Sequence, residues 1–304
     1  MATGRLDGRV ALVAGATRGC GRAIAVELAR AGAYVYATGR SSRHQGRSEI
    51  GRPETIEETG DLIVAAGVRC GSALRVDHLD IGQVEALVDR IRAEHGRLDV
   101  LVNDIFGGDR YAEWNKPIWE HDLAGGLRML EMGVHTHLIT LARAMPLVLE
   151  TGDGLVVEMT DGTHEYNQNY RQLVGPYYDL VKANVERIMK GVTVELAGTD
   201  TTCVAVTPGW IRSEAMLEIY KVAEDNWRDA VLAEPSFAIT ESPAFVARGV
   251  AALAADPDRR RFAGQVLTSH GLAVTYGHTD VDGSRPDCWG HMAAGSPEPV
   301  DDWR

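Results

Sequence analysis

Arg9-Val10-Ala11-Leu12-Val13-Ala14-Gly15-Ala16-Thr17-Arg18-Gly19-Cys20-Gly21-Arg22-Ala23-Ile24-Ala25-Val26-Glu27-Leu28-Ala29 decides the fold. Residues 9–14 form a short apolar run suited to a buried parallel strand, and Arg22 to Ala29 have helical spacing and good helix formers. Between them, Gly15, Gly19 and Gly21 let the backbone turn sharply and approach a pyrophosphate. The following helix offers free N–H groups and the positive end of its dipole. Strand, glycine turn and helix together predict a nucleotide site, where three glycines alone would mark only a tight turn.

Working outward, apolar runs and helical stretches alternate as a parallel sheet with crossover helices requires. Further strands are expected at Ala33–Thr38, Ala73–Val76, Leu98–Asn103, Gly154–Met159, Thr202–Thr207 and Gln265–Thr268. Helices are expected over Val84 to Glu94, Leu127 to Leu149 and Leu173 to Leu196. Three segments exceed that core: a polar insertion from Ser41 to Pro53, read as a mobile surface loop; a helical lid over about 213–243; and a Pro- and Asp-rich C-terminal stretch. The fold class is α/β, a single doubly wound Rossmann-type domain over 1–277 with a seven-stranded parallel sheet. The tail, 278–304, is read either as an arm around a neighbour or as disorder.

The 304 residues, 45% hydrophobic and 24% charged, suffice for one large core. A net charge of −12 and a pI near 5.3 argue against nucleic acid or an anionic membrane as partner, since either calls for a basic face. No apolar run reaches spanning length and the N-terminus lacks a signal-peptide core, so a cytoplasmic location is expected. Cys20, Cys70, Cys203 and Cys288 lack metal-ligand spacing and read as free thiols, with no metal site expected.

Tyr178-Asp179-Leu180-Val181-Lys182 carries the chemistry. On a helix, residues four apart share a face, which brings the Lys182 ammonium near the Tyr178 phenol. A cation there favours the phenolate and lowers a pKa that starts near ~10. Downstream of a glycine loop, the pair points to redox chemistry on a nucleotide cofactor.

These motifs, with Asp77 after the third strand, Asn103 closing the fourth and Thr207-Pro208-Gly209-Trp210-Ile211-Arg212-Ser213 after the sixth, resemble the short-chain dehydrogenase/reductase family over Leu6 to Gly277. In Trp114-Asn115-Lys116-Pro117 and Thr279-Asp280-Val281-Asp282-Gly283 the pattern is similar to the branch around dehydrogenase/reductase family member one. The resemblance implies NAD(H) or NADP(H) binding, Tyr178 as general acid/base, Lys182 on the nicotinamide ribose and the Pro208-Gly209 turn beside the nicotinamide. Gly15, Thr17, Arg18, Gly19, Gly21, Arg40, Ser41, Asp77 and Asn103 complete the expected cofactor site. It also implies a homodimer or homotetramer paired through the helices at 127–149 and 173–196.

The second strand ends Thr38-Gly39-Arg40-Ser41 without an acid, and Arg18 lies in the glycine loop, so NADP(H) is favoured over NAD(H) as the ligand of a two-arginine clamp. The active site departs from the family pattern. Asp161 aligns with the catalytic serine, where an ionised carboxylate would repel developing negative charge. The expected donor is a protonated Asp161, a neighbouring Thr160 or Thr163, or one of the polar Glu165, Asn167, Gln168 and Asn169 inserted before Tyr178, with Thr163 preferred. Gly133 aligns with the catalytic asparagine, leaving His135 or His137 to assist a proton relay, and Asn103 continues as Asp104-Ile105-Phe106.

Phe106, Tyr111, Trp114, Trp119, Tyr166, Tyr170, Trp210, Tyr220 and Trp227 are expected over the carboxyl ends of the strands, some walling a site for a lipophilic or ring-bearing carbonyl and the rest packing the lid. The expected activity is NADP(H)-dependent interconversion of a carbonyl and an alcohol. The alternatives are a non-redox dehydratase, epimerase or cyclase on the same fold, and a nucleotide-binding sensor impaired in catalysis.

Overall fold

The computed structural model describes residues 6–66, 71–171 and 173–295. Cys70 and residues 296–304 of the expected tail lie outside them. The strands are β1 (Val10–Ala14), β2 (Tyr34–Gly39), β3 (Ser72–Arg75), β4 (Val100–Asn103), β5 (Leu155–Met159), β6 (Thr202–Thr207) and β7 (Val266–Thr268). All pair in parallel in the order β3-β2-β1-β4-β5-β6-β7. The order reverses between β1 and β4, which opens a crevice at their carboxyl ends where ligands bind in such sheets.

The helices before β5 are α1 (Gly19–Arg30), α2 (Ile56–Ala66), α3 (Ile81–His95), α4 (Leu123–Leu130) and α5 (Thr136–Thr151). After it come α6 (His164–Asn167), α7 (Gly175–Glu195), α8 (Glu214–Tyr220), α9 (Pro243–Ala255), α10 (Ser269–Tyr276) and α11 (Cys288–Ala293). Strand alternation sorts the core into two layers. Ala11 and Val13 of β1 face Ile24 and Leu28 of α1 and Val246 and Val250 of α9. Val10 and Leu12 face Val84 and Ile91 of α3, Leu141 and Leu147 of α5 and Met189 of α7. Among the described residues, no helix is long and apolar enough to cross a membrane.

The helix expected over 127–149 forms, running without interruption from α4 into α5 through one π-helical turn at Glu131–His135. Gly133 lies in that turn, and a Cβ there would sit 2.3 Å from a methyl of Val181. The close approach of α7 therefore excludes any side chain at the position where an asparagine was expected.

Two peripheral segments also depart from expectation. The insertion after β2 is tied down, with Ser42 bridging to Gly46 and Ile50 packed beneath Gly107. The tail, through residue 295, folds onto its own chain. Its anchor is Arg212, only 1% exposed, which pairs with Glu224 of the lid at 2.6 Å and Asp280 of the tail at 3.1 Å. Arg212 also donates to the Thr240 carbonyl at 2.7 Å and lies 4.2 Å from the Trp227 ring centroid. Asp280 in turn accepts from the Ser242 amide at 2.8 Å. Arg212 thus fastens lid and tail to the end of β6. Arg212→Met leaves Asp280 as a buried carboxylate without its cation, which should cost about 3–5 kcal/mol, read as a lower denaturant midpoint.

Candidate active site

A cavity of about 1000 Å³ opens at the carboxyl ends of the strands, at the upper end of the range for small-molecule sites. Gly15, Thr17, Arg18, Gly19, Arg40, Ser41, Asp77, Asp161, Tyr178, Lys182, Pro208 and Gly209 all line it. Gly21, Asn103 and Thr163 do not. The Gly21 amide donates to the Asp104 carboxylate, Asn103 Nδ2 donates to Glu158 Oε1 at 2.7 Å, and Thr163 caps α6 by accepting from the Tyr166 amide at 3.2 Å. Sequence alignment alone could not separate Thr163 from the wall of the cavity; the cap geometry does.

At one end, β1 passes into α1 through Gly15, whose φ of +91° and contact with the Asp104 carbonyl, 2.2 Å from an added Cβ, permit only glycine. The exposed amide of Gly19 at the α1 N-terminus donates to the Glu214 carboxylate of α8 at 3.1 Å. Arg40 pairs with Glu49 at 3.2 Å and lies 4.0 Å from Asp77. Glu49 also takes two bonds from Arg128, each of 2.8 Å, and one from the Tyr111 hydroxyl at 3.0 Å. Those bonds, Arg128 first, pull its pKa down to about 2. Arg18 makes no side-chain hydrogen bond or ion pair among the described residues. Glu49 and Glu214 have no sequence signal; both arrive through the folding of distant segments.

At the other end, Tyr178 is half-buried in the wall of the cavity and its phenol is pushed well above the usual tyrosine range. Burial is the main cause, the Asp161 and Asp109 charges add to it, and Arg171 opposes it. This departs from the expected Lys182 effect. Lys182 Nζ sits 3.7 Å from the Phe106 ring centroid and 5.5 Å from that of Tyr178, held by cation–π contact. Its charge acts instead on Asp104, a half-buried residue whose carboxyl desolvation raises to about 7 against the pull of Lys182. Thr160, another expected donor, gives its hydroxyl to the Lys182 carbonyl at 2.9 Å, fixing α7 against β5. Asp161 is paired with Arg171 at 2.9 Å, a residue that sequence reading missed.

His137 does not reach the cavity. Its ring is buried between Glu158 Oε2, 2.5 Å from Nδ1, and the Ile105 carbonyl, 3.0 Å from Nε2. Of the expected aromatics, Phe106, Trp114, Tyr166, Tyr170 and Trp210 line the cavity. Trp119 is 81% exposed and Trp227 packs inside the lid with Phe237. The tail adds Trp289, whose indole donates to the Pro208 carbonyl at 2.7 Å and whose ring lies 5.0 Å from Tyr166. The described part of the tail, through residue 295, therefore forms a wall of the cavity.

A family model described as Enoyl-(Acyl carrier protein) reductase, of the short-chain alcohol dehydrogenase C2 type, matches residues 15–271. The chain belongs to the short-chain dehydrogenase/reductase family of oxidoreductases. Within it, the chain is 30% identical to Dehydrogenase/reductase SDR family member 1 of Mus musculus, over 91% of this chain and 85% of the relative. A short-chain dehydrogenase/reductase of Burkholderia xenovorans superposes with a TM-score of 0.69 at 25% identity, covering 90% of this chain and 98% of its own. A short-chain dehydrogenase of Shigella flexneri complexed with NADP does so at 0.69 and 19%, covering 88% and 99%, and shares the fold.

Behind the Pro208-Gly209 turn, the fully buried Glu241 carboxyl accepts from Ser269 Oγ at 2.6 Å, and burial raises it to about 8. Between the usual 4.5 and about 8 the folded protein therefore holds a proton that the unfolded chain has released. This group's contribution is complete below pH 4.5 and is lost as pH rises through that window. Glu241→Gln should remove the dependence: relative to wild type, the variant gains at least ~1 kcal/mol between pH 5 and pH 8.5 in urea unfolding.

Proposed function

We propose that the protein is an NADP(H)-dependent oxidoreductase that interconverts a carbonyl and an alcohol, with Tyr178 as proton donor and acceptor. The observation that carries this reading is that Tyr178 and Lys182 face the same cavity as the Gly15–Gly21 loop and Arg18. The residues present fit a dinucleotide phosphate. The α1 N-terminus holds an anion, the Glu214 carboxylate, where a pyrophosphate would lie, and Arg40 holds a second, Glu49, where a 2′-phosphate would lie. Both carboxylates must yield to the ligand, and Arg18 has donors free for it. The NADP reported with the Shigella flexneri protein supports the same choice.

In this reading Gly15, Thr17 and Gly19 cradle the pyrophosphate, Arg18, Arg40 and Ser41 take the ribose phosphate, and Asp77 borders the adenine. Lys182 holds the nicotinamide ribose beside Pro208 and Gly209, while Asn103 and Gly21 act from behind the wall. When bound, the cofactor supplies or accepts hydride at its nicotinamide ring. Burial keeps the Tyr178 phenol protonated, which suits it to donate to a carbonyl oxygen in the reductive direction. The aromatic wall of Phe106, Trp114, Tyr166, Tyr170, Trp210 and Trp289 suits a lipophilic or ring-bearing small molecule. Assembly as a homodimer or homotetramer belongs to the same reading, supported by Leu127, Leu138, Leu149 and Leu180, exposed on α4, α5 and α7.

Tyr178→Phe should lower kcat for NADPH-linked carbonyl reduction by roughly 100-fold or more while NADPH affinity stays within about threefold. Turnover across a carbonyl panel, followed by nicotinamide absorbance, tests this, and a Phe variant with most of its activity would remove Tyr178 as the acid. Arg18→Ala with Arg40→Ala should weaken NADPH binding by about 2–3 kcal/mol and leave NADH nearly unchanged in fluorescence titrations. Equal losses for both cofactors would refute the phosphate clamp.

A further inference from the structure

Asp161 stands beside Tyr178 where a hydrogen-bond donor is required, and a lone carboxylate there would oppose the charge that builds on a substrate oxygen during reduction. The structure does not leave it alone. Arg171, with a side chain 7% exposed, lines the cavity and donates through Nη1 to Asp161 Oδ2 at 2.9 Å. Nη2 donates to the Asp161 carbonyl and, at 2.6 Å, to Asn167 Oδ1. The guanidinium plane lies over the Tyr166 ring, 5.0 Å from its centroid. Three of five N–H groups are thus engaged. One Nη1 hydrogen remains, and so does that of Nε, which is buried without a hydrogen-bond partner and 3.8 Å from Asp179 Oδ1. Nε–H is turned toward Asp179, which leaves the second Nη1 hydrogen for a ligand; a guanidinium locked on three sides in the wall of the cavity is a preorganised donor. Its charge reaches Tyr178, where it opposes the rise in the phenol's pKa.

We propose that Arg171 is a catalytic residue that donates a hydrogen bond to the substrate oxygen beside Tyr178, with Asp161 as the positioning residue that aims its guanidinium. The proposal rests on the carbonyl–alcohol reading above. In the reductive direction, hydride from NADPH forms the C–H bond at the carbonyl carbon and the C=O π pair moves to oxygen. That oxygen takes the Tyr178 proton to complete the alcohol. NADP⁺ is the oxidised product, and solvent returns the proton to Tyr178. While charge accumulates on oxygen, the Arg171 N–H holds it. The Arg171 charge offsets part of the repulsion from Asp161, and an N–H takes the place of a hydroxyl.

The test uses the full chain with NADPH and whichever carbonyl of the panel wild type reduces fastest. Arg171→Met should lower kcat by roughly 100-fold or more, with NADPH affinity within about threefold of wild type. Arg171→Met with Asp161→Ser, which removes the unpaired carboxylate and supplies a hydroxyl, should recover at least about tenfold of that loss, whereas Arg171→Met with Asp161→Ala should not. Serine-specific recovery reports a missing donor and would not follow from a purely structural role. Arg171→Met within about threefold of wild-type kcat, or equal recovery by Ser and Ala, overturns the assignment. If Arg171→Met does not fold, Arg171→Ala is assayed with added guanidinium: saturable recovery of kcat supports the role, and its absence in a variant of wild-type NADPH affinity overturns it. A variant too unstable to bind NADPH makes Arg171 a structural residue and likewise overturns it. Wild type that reduces no carbonyl removes the oxidoreductase reading, and the Arg171 role falls with it. Wild type active with an active Arg171→Met removes the Arg171 role alone.

Discussion

The Gly15 turn lies against the Asp104 carbonyl so closely that a single methyl group would collide with backbone at 2.2 Å. That contact joins the end of β1 to the end of β4, the two strands between which the sheet reverses its order. Because the backbones meet there without side chains between them, α1 can start directly at the crevice and point its N-terminus inward. Asp104 follows β4 at that contact, where desolvation raises its carboxyl and the Lys182 charge opposes the rise. The glycine turn, the Asp104 carboxyl and the lysine charge on α7 come together at one close approach.

Around that approach, charge is handled locally in a chain whose net charge is −12. The α1 amides and the Arg40 guanidinium each hold a carboxylate of the protein, Glu214 and Glu49. A cationic site in an acidic protein is thereby neutralised internally, as desolvated charges require. At the opposite end, Arg171 pairs with Asp161 beside the phenol and offsets part of its charge. Lys182 rests on the face of Phe106, an aromatic partner where an acid would be more usual. The site thus places its cations where an oxyanion or a phosphate can displace or share their partners.

Lid and tail belong to the same construction. Arg212 ends the β6 turn and gathers Glu224, Thr240 and Asp280, which come from the lid, the start of α9 and the tail. A buried arginine with this many partners is specific in geometry even where its net contribution to stability is small. Through it, Trp289 is brought to the Pro208 carbonyl and the cavity acquires a wall from the last described helix.

The parallel strands were legible in the sequence because a strand covered on both faces is written as a continuous apolar run, and each of the seven runs became one. The Gly15 turn and the Tyr178–Lys182 step were legible because their geometry is local: one backbone conformation, one turn of helix. The π-helical turn between α4 and α5 was not, because Gly133 answers to Val181 on another helix. Nor could sequence alone show that Lys182 would lie on Phe106, that Thr163 would cap a helix, or that Arg171, Glu49 and Trp289 would enter the site, since each pairs groups that meet only after the chain has folded. Local periodicity and spacing determined the sheet, the glycine turn and the Tyr178–Lys182 step. Tertiary packing decided which charges face one another across the cavity, because electrostatic partnership depends on distance in space and on burial, and neither is encoded in any single segment.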